Sequence, residues 1–454
     1  SYAPRTSSSM YKMPLDLTSM KLEERTEPLT LTELVDIALR NNPTTRLTWA
    51  KARAAAAAWA QSQSPNFPTL SGNYTIVRDK STLVTTGAQA STPAQNQAAT
   101  STTIVFSELS TTWGPELQLS YTLLDFGLTS ANVRSAKEAL ISADFSHNYQ
   151  IQTVLNQVAS DYYNYLSQQQ LLKAQEADLD TACVTEAAVR AQVCAGVKDK
   201  SDLLQAQTQL LQTQINLTNQ RQNVINAKAV LFTDIGLGAE KQLAVADTLE
   251  VPPIEQMEQN VDAILALALS KRSDLIAAEA SLRSQNAAVD AAWRQFLPNV
   301  TYDLTVNQSR AKPGGDLGIQ YNGILSLNYP IFSGFSTVNQ YRQAKSIRDQ
   351  AAATLRQTEL SVTEQVITSH AAVRTAFEAL RFADELLTTA DEQYKVSLER
   401  YKAGVGTIID LVTAQNTLAV SRAQNVSSTT AWLTALVNLS YSAGILVPTS
   451  NGIQ

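Results

Sequence analysis

Val300-Thr301-Tyr302-Asp303-Leu304-Thr305-Val306-Asn307 alternates strictly between apolar and polar side chains, the pattern of a strand with two chemically different faces. Further on, Ile319, Tyr321, Leu325, Leu327, Tyr329 and Ile331 alternate with Gln320, Asn322, Ser326 and Asn328. Lys312-Pro313-Gly314-Gly315 lies between them as a short turn, so residues 299–333 read as a hairpin. An earlier pair repeats the pattern: Leu70, Tyr74 and Ile76 alternate with Ser71, Asn73 and Thr75, and Leu117, Leu119, Tyr121 and Leu123 alternate with Gln118, Ser120 and Thr122. Residues 67–126 form the second such hairpin.

The two hairpins belong to an internal duplication. At an offset of 208, Leu119-Ser120-Tyr121 matches Leu327-Asn328-Tyr329, and Ala195-Gly196-Val197 matches Ala403-Gly404-Val405. The same register pairs Asp202 with Asp410, Ala206-Gln207 with Ala414-Gln415, and Gly236 with Gly444. Upstream the offset is 230, pairing Ala38-Leu39 with Ala268-Leu269 and Pro68 with Pro298. The 22-residue difference places an insertion in residues 81–103, a Ser/Thr/Ala/Gln-rich stretch that reads as a long exposed loop.

Outward from the hairpins, glycine and proline are conspicuous by their absence. Both destabilise a helix interior, by about 1 and about 3 kcal/mol. Neither occurs in the 68 residues between Gly127 and Gly196, nor in the 69 between Gly334 and Gly404. At about 1.5 Å per residue such helices reach roughly 100 Å. Shorter legs follow, at 197–235 and 407–443, and two Ala-rich stretches, 31–63 and 254–297, have helical composition and roughly half the great length. Ile225, Ala229 and Phe232, and again Leu380, Ala383, Leu387 and Ala390, recur at helical spacing. The plain reading of such helices is a solvated coiled-coil rod.

Composition narrows the function. With 35 Lys plus Arg against 41 Asp plus Glu, the net charge of −6 leaves no basic excess for nucleic acid. Two His, His147 and His370, argue against a histidine-based metal site or catalytic triad. Cys183 and Cys194, eleven residues apart in a helical segment, stand roughly 16 Å apart and read as free thiols. No apolar run reaches about 18 residues, so no transmembrane helix is expected. Ser1 is not followed by the basic-then-apolar pattern of a signal peptide. Four two-faced strands could cover a soluble core. Alternatively they could cross a membrane, where strands of about 10 residues close into rings of at least about 8. Every backbone N–H and C=O in lipid must be paired. One chain has too few strands, and three copies supply twelve.

Several fragments together resemble the TolC-type outer-membrane channel family of tripartite efflux and type I secretion systems. They are Leu29-Thr30-Leu31-Thr32-Glu33-Leu34-Val35 leading to Ala38-Leu39 and Asn42-Pro43; Leu297-Pro298; Tyr329-Pro330-Ile331-Phe332-Ser333-Gly334; and Arg400-Tyr401-Lys402-Ala403-Gly404-Val405-Gly406-Thr407 followed by Asp410-Leu411 and Ala414-Gln415. The resemblance implies an α+β membrane protein: a homotrimer whose 12-stranded transmembrane β-barrel, four strands per chain, sits in outer-membrane lipid. A long periplasmic α-helical barrel continues it. The implied segments are an N-terminal piece and first helix (1–66), a first transmembrane hairpin (67–126), a first helical hairpin (127–236), an equatorial connection and helix (237–298), a second transmembrane hairpin (299–333), a second helical hairpin (334–444) and a tail (445–454). Residues 1–28, 237–253 and 445–454 are candidates for an equatorial waist. A periplasmic adaptor and an inner-membrane pump are the implied partners, and no cofactor is expected.

The resemblance also assigns roles at the glycine turns. Gly196, Val197, Lys198, Gly404, Val405, Gly406 and Thr407 are the expected adaptor contacts, although the turns also have the plain task of ending helices. Lys198-Asp199-Lys200 is a charged departure from the family's small-residue turn. Asp410 is expected to form a three-fold carboxylate ring that favours cations. An Asp at a helix N-terminus has an equally ordinary reading as a partner of the macrodipole. Thr413 stands where some members carry a second acid, which implies weaker cation binding. Tyr401 and Asp202 are the expected gate latch, against the simpler reading of Asp202 as a capping residue. Tyr121, Tyr329 and Trp113 are placed in an interfacial belt, or alternatively in a protein core. Two rival functions are a non-conducting helical spacer or surface-fibre protein, and an enzyme. The enzyme is opposed by the lack of a phosphate-binding glycine motif, of Cys/His clusters with metal spacing, and of a nucleophile-base pairing.

Overall fold

The computed structural model describes residues 28–87, 102–239, 243–246, 261–312 and 314–446. In chain order its elements are α1 (Leu31–Asn41), α2 (Pro43–Ser62), β1 (Thr69–Gly87), β2 (Thr102–Leu124), α3 (Leu128–Cys194), α4 (Lys200–Asp234), α5 (Val261–Lys271), α6 (Ser273–Arg294), β3 (Asn299–Lys312), β4 (Gly315–Asn328), α7 (Ser336–Lys402) and α8 (Ile408–Ser442). The absence of helix breakers is expressed directly: α3 and α7 each run 67 residues, and α4 and α8 each run 35. The chain divides into two compact units, residues 1–55, 139–282 and 351–454 in one, and 56–138 and 283–350 in the other.

In the helical unit, the duplication is visible as two equivalent cores. Leu34, Ala38, Val154, Val158 and Ile235 are buried together. Ile264, Ala268, Val362, Val366 and Ala443 form the second core, and each is the repeat counterpart of the first set at offsets of 230 and 208. The first core is larger because Leu29 bridges to Val245 beside it, with Leu243, Tyr162, Tyr165 and Phe232 added. Of the candidate waist, only residues 28, 237–239, 243–246 and 445–446 lie among those described.

Three sequence expectations are corrected in this unit. The stretch 31–63 is two helices, because Asn42 is extended (ψ 125°) ahead of Pro43, and the residue before proline is sterically driven out of the helical region. The second stretch also breaks, between α5 and α6, although Ser273 replaces the proline; its residues 254–260 lie outside those described. Both breaks place a polar side chain on an orphan carbonyl at a helix end. Asn42 Nδ2 donates to Asp234 O (2.7 Å) and Arg272 Nη1 donates to Ser442 O (3.3 Å), and these four residues are repeat counterparts. Arg272 is held further by Asp274, through both carboxylate oxygens, and by Gln365. Lastly, the apolar stripe read on α4 holds only in part, since Phe232 is buried and Ala229 half-buried but Ile225 is not. Ile225 is exposed, whereas Leu217, Ala227 and Leu231 are buried. On α7, Ala383 and Ala390 are buried as their spacing predicts.

The second unit carries one antiparallel sheet in the order β1-β2-β3-β4. Register converts the alternation into faces. Leu70, Leu119 and Leu304 stand in line, as do Tyr121, Tyr302 and Leu325, and Leu117, Val306 and Tyr321. On the opposite face Ser71, Gln118, Thr305 and Asn322 line up, followed by Asn73, Glu116, Asn307 and Gln320. Ile324, opposite Asp303, interrupts that polar face. β1 and β4 are the edges.

Part of the expected 81–103 loop is strand: β1 extends through Gly87 and β2 begins at Thr102, giving 19 and 23 residues against 14 in β3 and β4. The β-branched residues Thr82, Val84, Thr85, Thr86, Thr102, Thr103, Ile104 and Val105 favour extension, and the two arms pair with each other from Ser81↔Glu108 to Gly87↔Thr102. Residues 88–101 lie outside those described. The lengthening puts Trp113 well inside β2, opposite Ile76, not at a strand end. Tyr329 follows the last residue of β4, and Pro330, which has no N–H to donate, continues the chain away from the ladder.

Candidate functional site

The ends of α3, α4, α7 and α8 meet around one apolar cluster that includes Val189, Ala206, Tyr394, Leu398, Tyr401, Leu411 and Leu418. Each hairpin turns there on a left-handed glycine, Gly196 (φ +73°) and Gly404 (φ +79°). Val197 N returns to Gln192 O and Val405 N to Arg400 O, the six-to-one bond by which a helix ends on glycine. Val197 and Val405 are exposed, so both turns present an apolar side chain outward. Two further contacts tie the hairpins together. Gln192 Nε2 donates to Lys402 O (3.0 Å), and Gln209 Nε2 donates to Asn416 Oδ1 (2.6 Å).

The residues expected to form a latch are brought together. Tyr401 is fully buried, and its hydroxyl donates to Asp202 Oδ2 at 3.3 Å. Burial, then the adjacent Asp202 charge, pushes the phenol up to about 12, so it remains a proton donor throughout the physiological range. Asp202 also lies in the first turn of α4, three residues after the N-cap residue Asp199, where its charge suits the helix start as well.

Asp410 and Thr407 form a reciprocal capping box at the start of α8. Thr407 Oγ1 accepts from Asp410 N (3.1 Å), and Asp410 Oδ2 accepts from Thr407 Oγ1 (2.8 Å) and Thr407 N (3.4 Å). Within one chain Asp410 therefore performs the ordinary helix-starting task. Its side chain and that of Thr413, one turn on, are both exposed. A cavity of about 340 Å³ lies between the two turns, lined by Lys198, Asp199, Asp202, Thr407, Ile408 and Ile409 among others.

Sequence reading missed two arrangements. Lys198, expected to face a partner, folds back over the neighbouring turn instead: its ammonium donates to Gly406 O (3.1 Å) and lies 5.2 Å from the centre of the Tyr401 ring. The second lies farther along α3. Asp161 is buried and its carboxyl is pushed up to about 7, by burial first and then by the hydrogen bond that its protonated form donates to the neighbouring carboxylate of Asp234. The repeat counterparts are Ser369 and Ser442, whose hydroxyls meet at 2.7 Å. The 208-residue offset was the available signal for both, since it aligns Lys198 with Gly406 and the carboxyl pair with the serine pair.

The carboxyl pair makes stability depend on pH. An acid whose native pKa is raised binds its proton more tightly folded than unfolded. Its stabilising contribution is therefore fully present below about 4, declines as pH climbs toward 7, and is gone above that. Asp161→Asn should flatten the slope. Relative to the parent, the variant's thermal midpoint is expected to rise at pH 8 and to change little or fall at pH 5. A difference that is the same at both pH values would show that the carboxyl does not titrate in this window.

Among the described residues no group of three His, Cys, Asp or Glu is placed to hold a metal ion. Cys183 and Cys194 are both free and exposed on α3. The family described as "Outer membrane efflux protein" matches the sequence over residues 34–237 and 264–444. Protein CyaE of Bordetella pertussis is 25% identical over 412 residues, covering 89% of this chain and 81% of that protein. Nodulation protein T of Rhizobium leguminosarum bv. trifolii is 24% identical over 388 residues, covering 83% and 77%. Among solved structures, the outer-membrane channel OprN superposes with a TM-score of 0.79 at 18% identity, covering 91% of this chain and 89% of that one. The Campylobacter jejuni CmeC outer membrane channel gives 0.78 at 18% identity, covering 93% and 87%.

Proposed function

This chain belongs to the outer membrane efflux protein family, and on that premise we propose how it works as a passive outer-membrane exit duct. It catalyses no reaction. Three chains join their sheets, edge β1 of one against edge β4 of the next, into a twelve-stranded barrel with Leu70, Leu119, Leu304 and their neighbours facing lipid. Residues 67–126 and 299–333 are the membrane hairpins, 127–236 and 334–444 the periplasmic helical hairpins, and 237–298 the equatorial connection between the copies.

A single observation carries this reading: a four-stranded sheet with one apolar face and two edges that have no partner strand among the described residues. In lipid an open edge leaves several kcal/mol per unpaired group uncompensated, so a spanning sheet must close. A helical spacer or fibre subunit has no use for such a sheet.

Substrate is handed to the duct by a periplasmic adaptor and an inner-membrane pump. The exposed turn residues Gly196, Val197, Gly404 and Val405, with Thr407, form the adaptor-facing surface together with Lys198 and Gly406 at its inner margin. The tip also holds the gate. Asp410 and Thr413, repeated three times about the axis, line the narrowest ring, and Tyr401 on Asp202 holds the hairpins of each chain in the closed arrangement.

Purified protein in detergent should run as a trimer and conduct ions in planar bilayers. Tyr401→Phe, which removes only the latch hydroxyl, should raise the single-channel conductance. A protein that stays monomeric and never conducts would rule out the duct; unchanged conductance in Tyr401→Phe would rule out the latch.

A further inference from the structure

We propose that Lys198 is a gating residue, a clamp that holds the two helical hairpins of one chain together at the closed tip. The first hairpin contributes Lys198 and Asp202, one helical turn apart across the start of α4. The second contributes Tyr401 and Gly406. Lys198 Nζ donates to Gly406 O and lies over the Tyr401 ring, and Tyr401 donates to Asp202. The ammonium therefore holds both the tyrosine face and the turn that follows it. A cation over an aromatic face and a charged donor on a carbonyl are both stronger than their neutral equivalents, and Lys198 is half-buried here, where water competes less.

The clamp can be built only once per chain. Gly406 is the repeat counterpart of Lys198, and a Cβ at that position would stand 2.9 Å from Tyr401 N and 3.1 Å from Arg400 C. Backbone crowding thus excludes a second lysine in the copied turn. The opposite half of the latch is also absent, since Val193 is the counterpart of Tyr401. Within one subunit the clamp and the latch are accordingly one-sided.

This inference rests on reading the tip as the gate, and the test separates the two. Single-channel conductance is measured in planar bilayers, without adaptor, for the parent, Lys198→Met, Lys198→Arg, Tyr401→Phe and Lys198→Met/Tyr401→Phe, each confirmed as a trimer. Met keeps the length of the side chain and removes the charge. Lys198→Met should lower the closed-to-open ratio of each tip about tenfold, seen as a clear rise in conductance. Lys198→Arg should stay near the parent, and the double variant should rise by less than the product of the single effects. If Tyr401→Phe opens the channel and Lys198→Met does not, the clamp is wrong and the gate stands. If neither opens it, both fall. If only Lys198→Met opens it, the clamp stands without the latch. A lysine that serves the adaptor alone would alter export in cells and leave these conductances unchanged, which also overturns the proposal.

Discussion

Leu304→Lys is expected to leave no folded trimer in the outer membrane, whereas Thr305→Lys, one residue on, should be inserted at close to the parent level. Both residues lie in the middle of β3 and differ in the face they occupy. Leu304 lines up with Leu119 and Leu70; Thr305 lines up with Gln118, Ser71 and Asn322. A lysine on the lipid face near the bilayer midplane costs about 2–4 kcal/mol. Three-fold symmetry brings the total to roughly 6–12 kcal/mol, comparable with the whole net stability of about 5–15 kcal/mol typical of a domain. On the polar face the same ammonium remains in water. Heat-modifiable trimer in outer-membrane fractions, scored on gels with and without boiling, reads the difference directly. Equal tolerance of both lysines would show that neither face meets lipid, and the barrel would have to be abandoned.

The second large effect is expected in the helical unit, at Gly236. Gly236 (φ +77°) and Gly196 (φ +73°) have the same left-handed backbone, so alanine costs about 1–2 kcal/mol at either position. Their surroundings differ. At Gly196 an added Cβ meets nothing within 4 Å, but at Gly236 it would stand 2.7 Å from both Asn41 C and Asn41 O, and 3.0 Å from Asn42 N. Those backbone atoms belong to the break between α1 and α2, and Asn42 is the residue that satisfies the Asp234 carbonyl. Overpacking adds about 1–3 kcal/mol, for a total of roughly 2–5 kcal/mol at Gly236. Thermal unfolding followed by helical circular dichroism should show Gly236→Ala melting well below Gly196→Ala. Coincident melts would mean that the junction yields without cost.

Some of this was legible before any coordinates. The parity of Val300, Tyr302, Leu304 and Val306 survives intact into the sheet, because side-chain direction in a strand follows from residue number alone. The great helices fall between the glycines that bound them for a similarly local reason. The meeting of Tyr401 with Asp202 was also readable, through the resemblance and the position of each beside a glycine turn. Other features were not readable. Ile225 has perfect helical spacing with Phe232, yet Phe232 is buried and Ile225 is exposed, because spacing identifies a stripe without saying how far along the helix a neighbour covers it. Thr85 and Thr103 were placed in a loop because their composition is polar, although β-branching and a facing arm of the same kind extend the strands through them.

The sequence by itself determined the duplication, the two-faced strands, the lengths of the helices and the turns that end them, since each is a periodicity or an interruption within a short stretch of chain. Only the tertiary structure decided what those pieces hold on to. Arg272 breaks a helix without a proline because Asp274, Gln365 and Ser442 converge on its guanidinium, and Asp161 keeps a proton near neutrality because it is buried and Asp234 lies against it. Lys198 turns inward because a copied turn leaves a bare carbonyl at Gly406. In each case the free energy of a charged or polar group depends on groups distant in sequence that burial brings within a few ångströms, and no local pattern encodes that encounter.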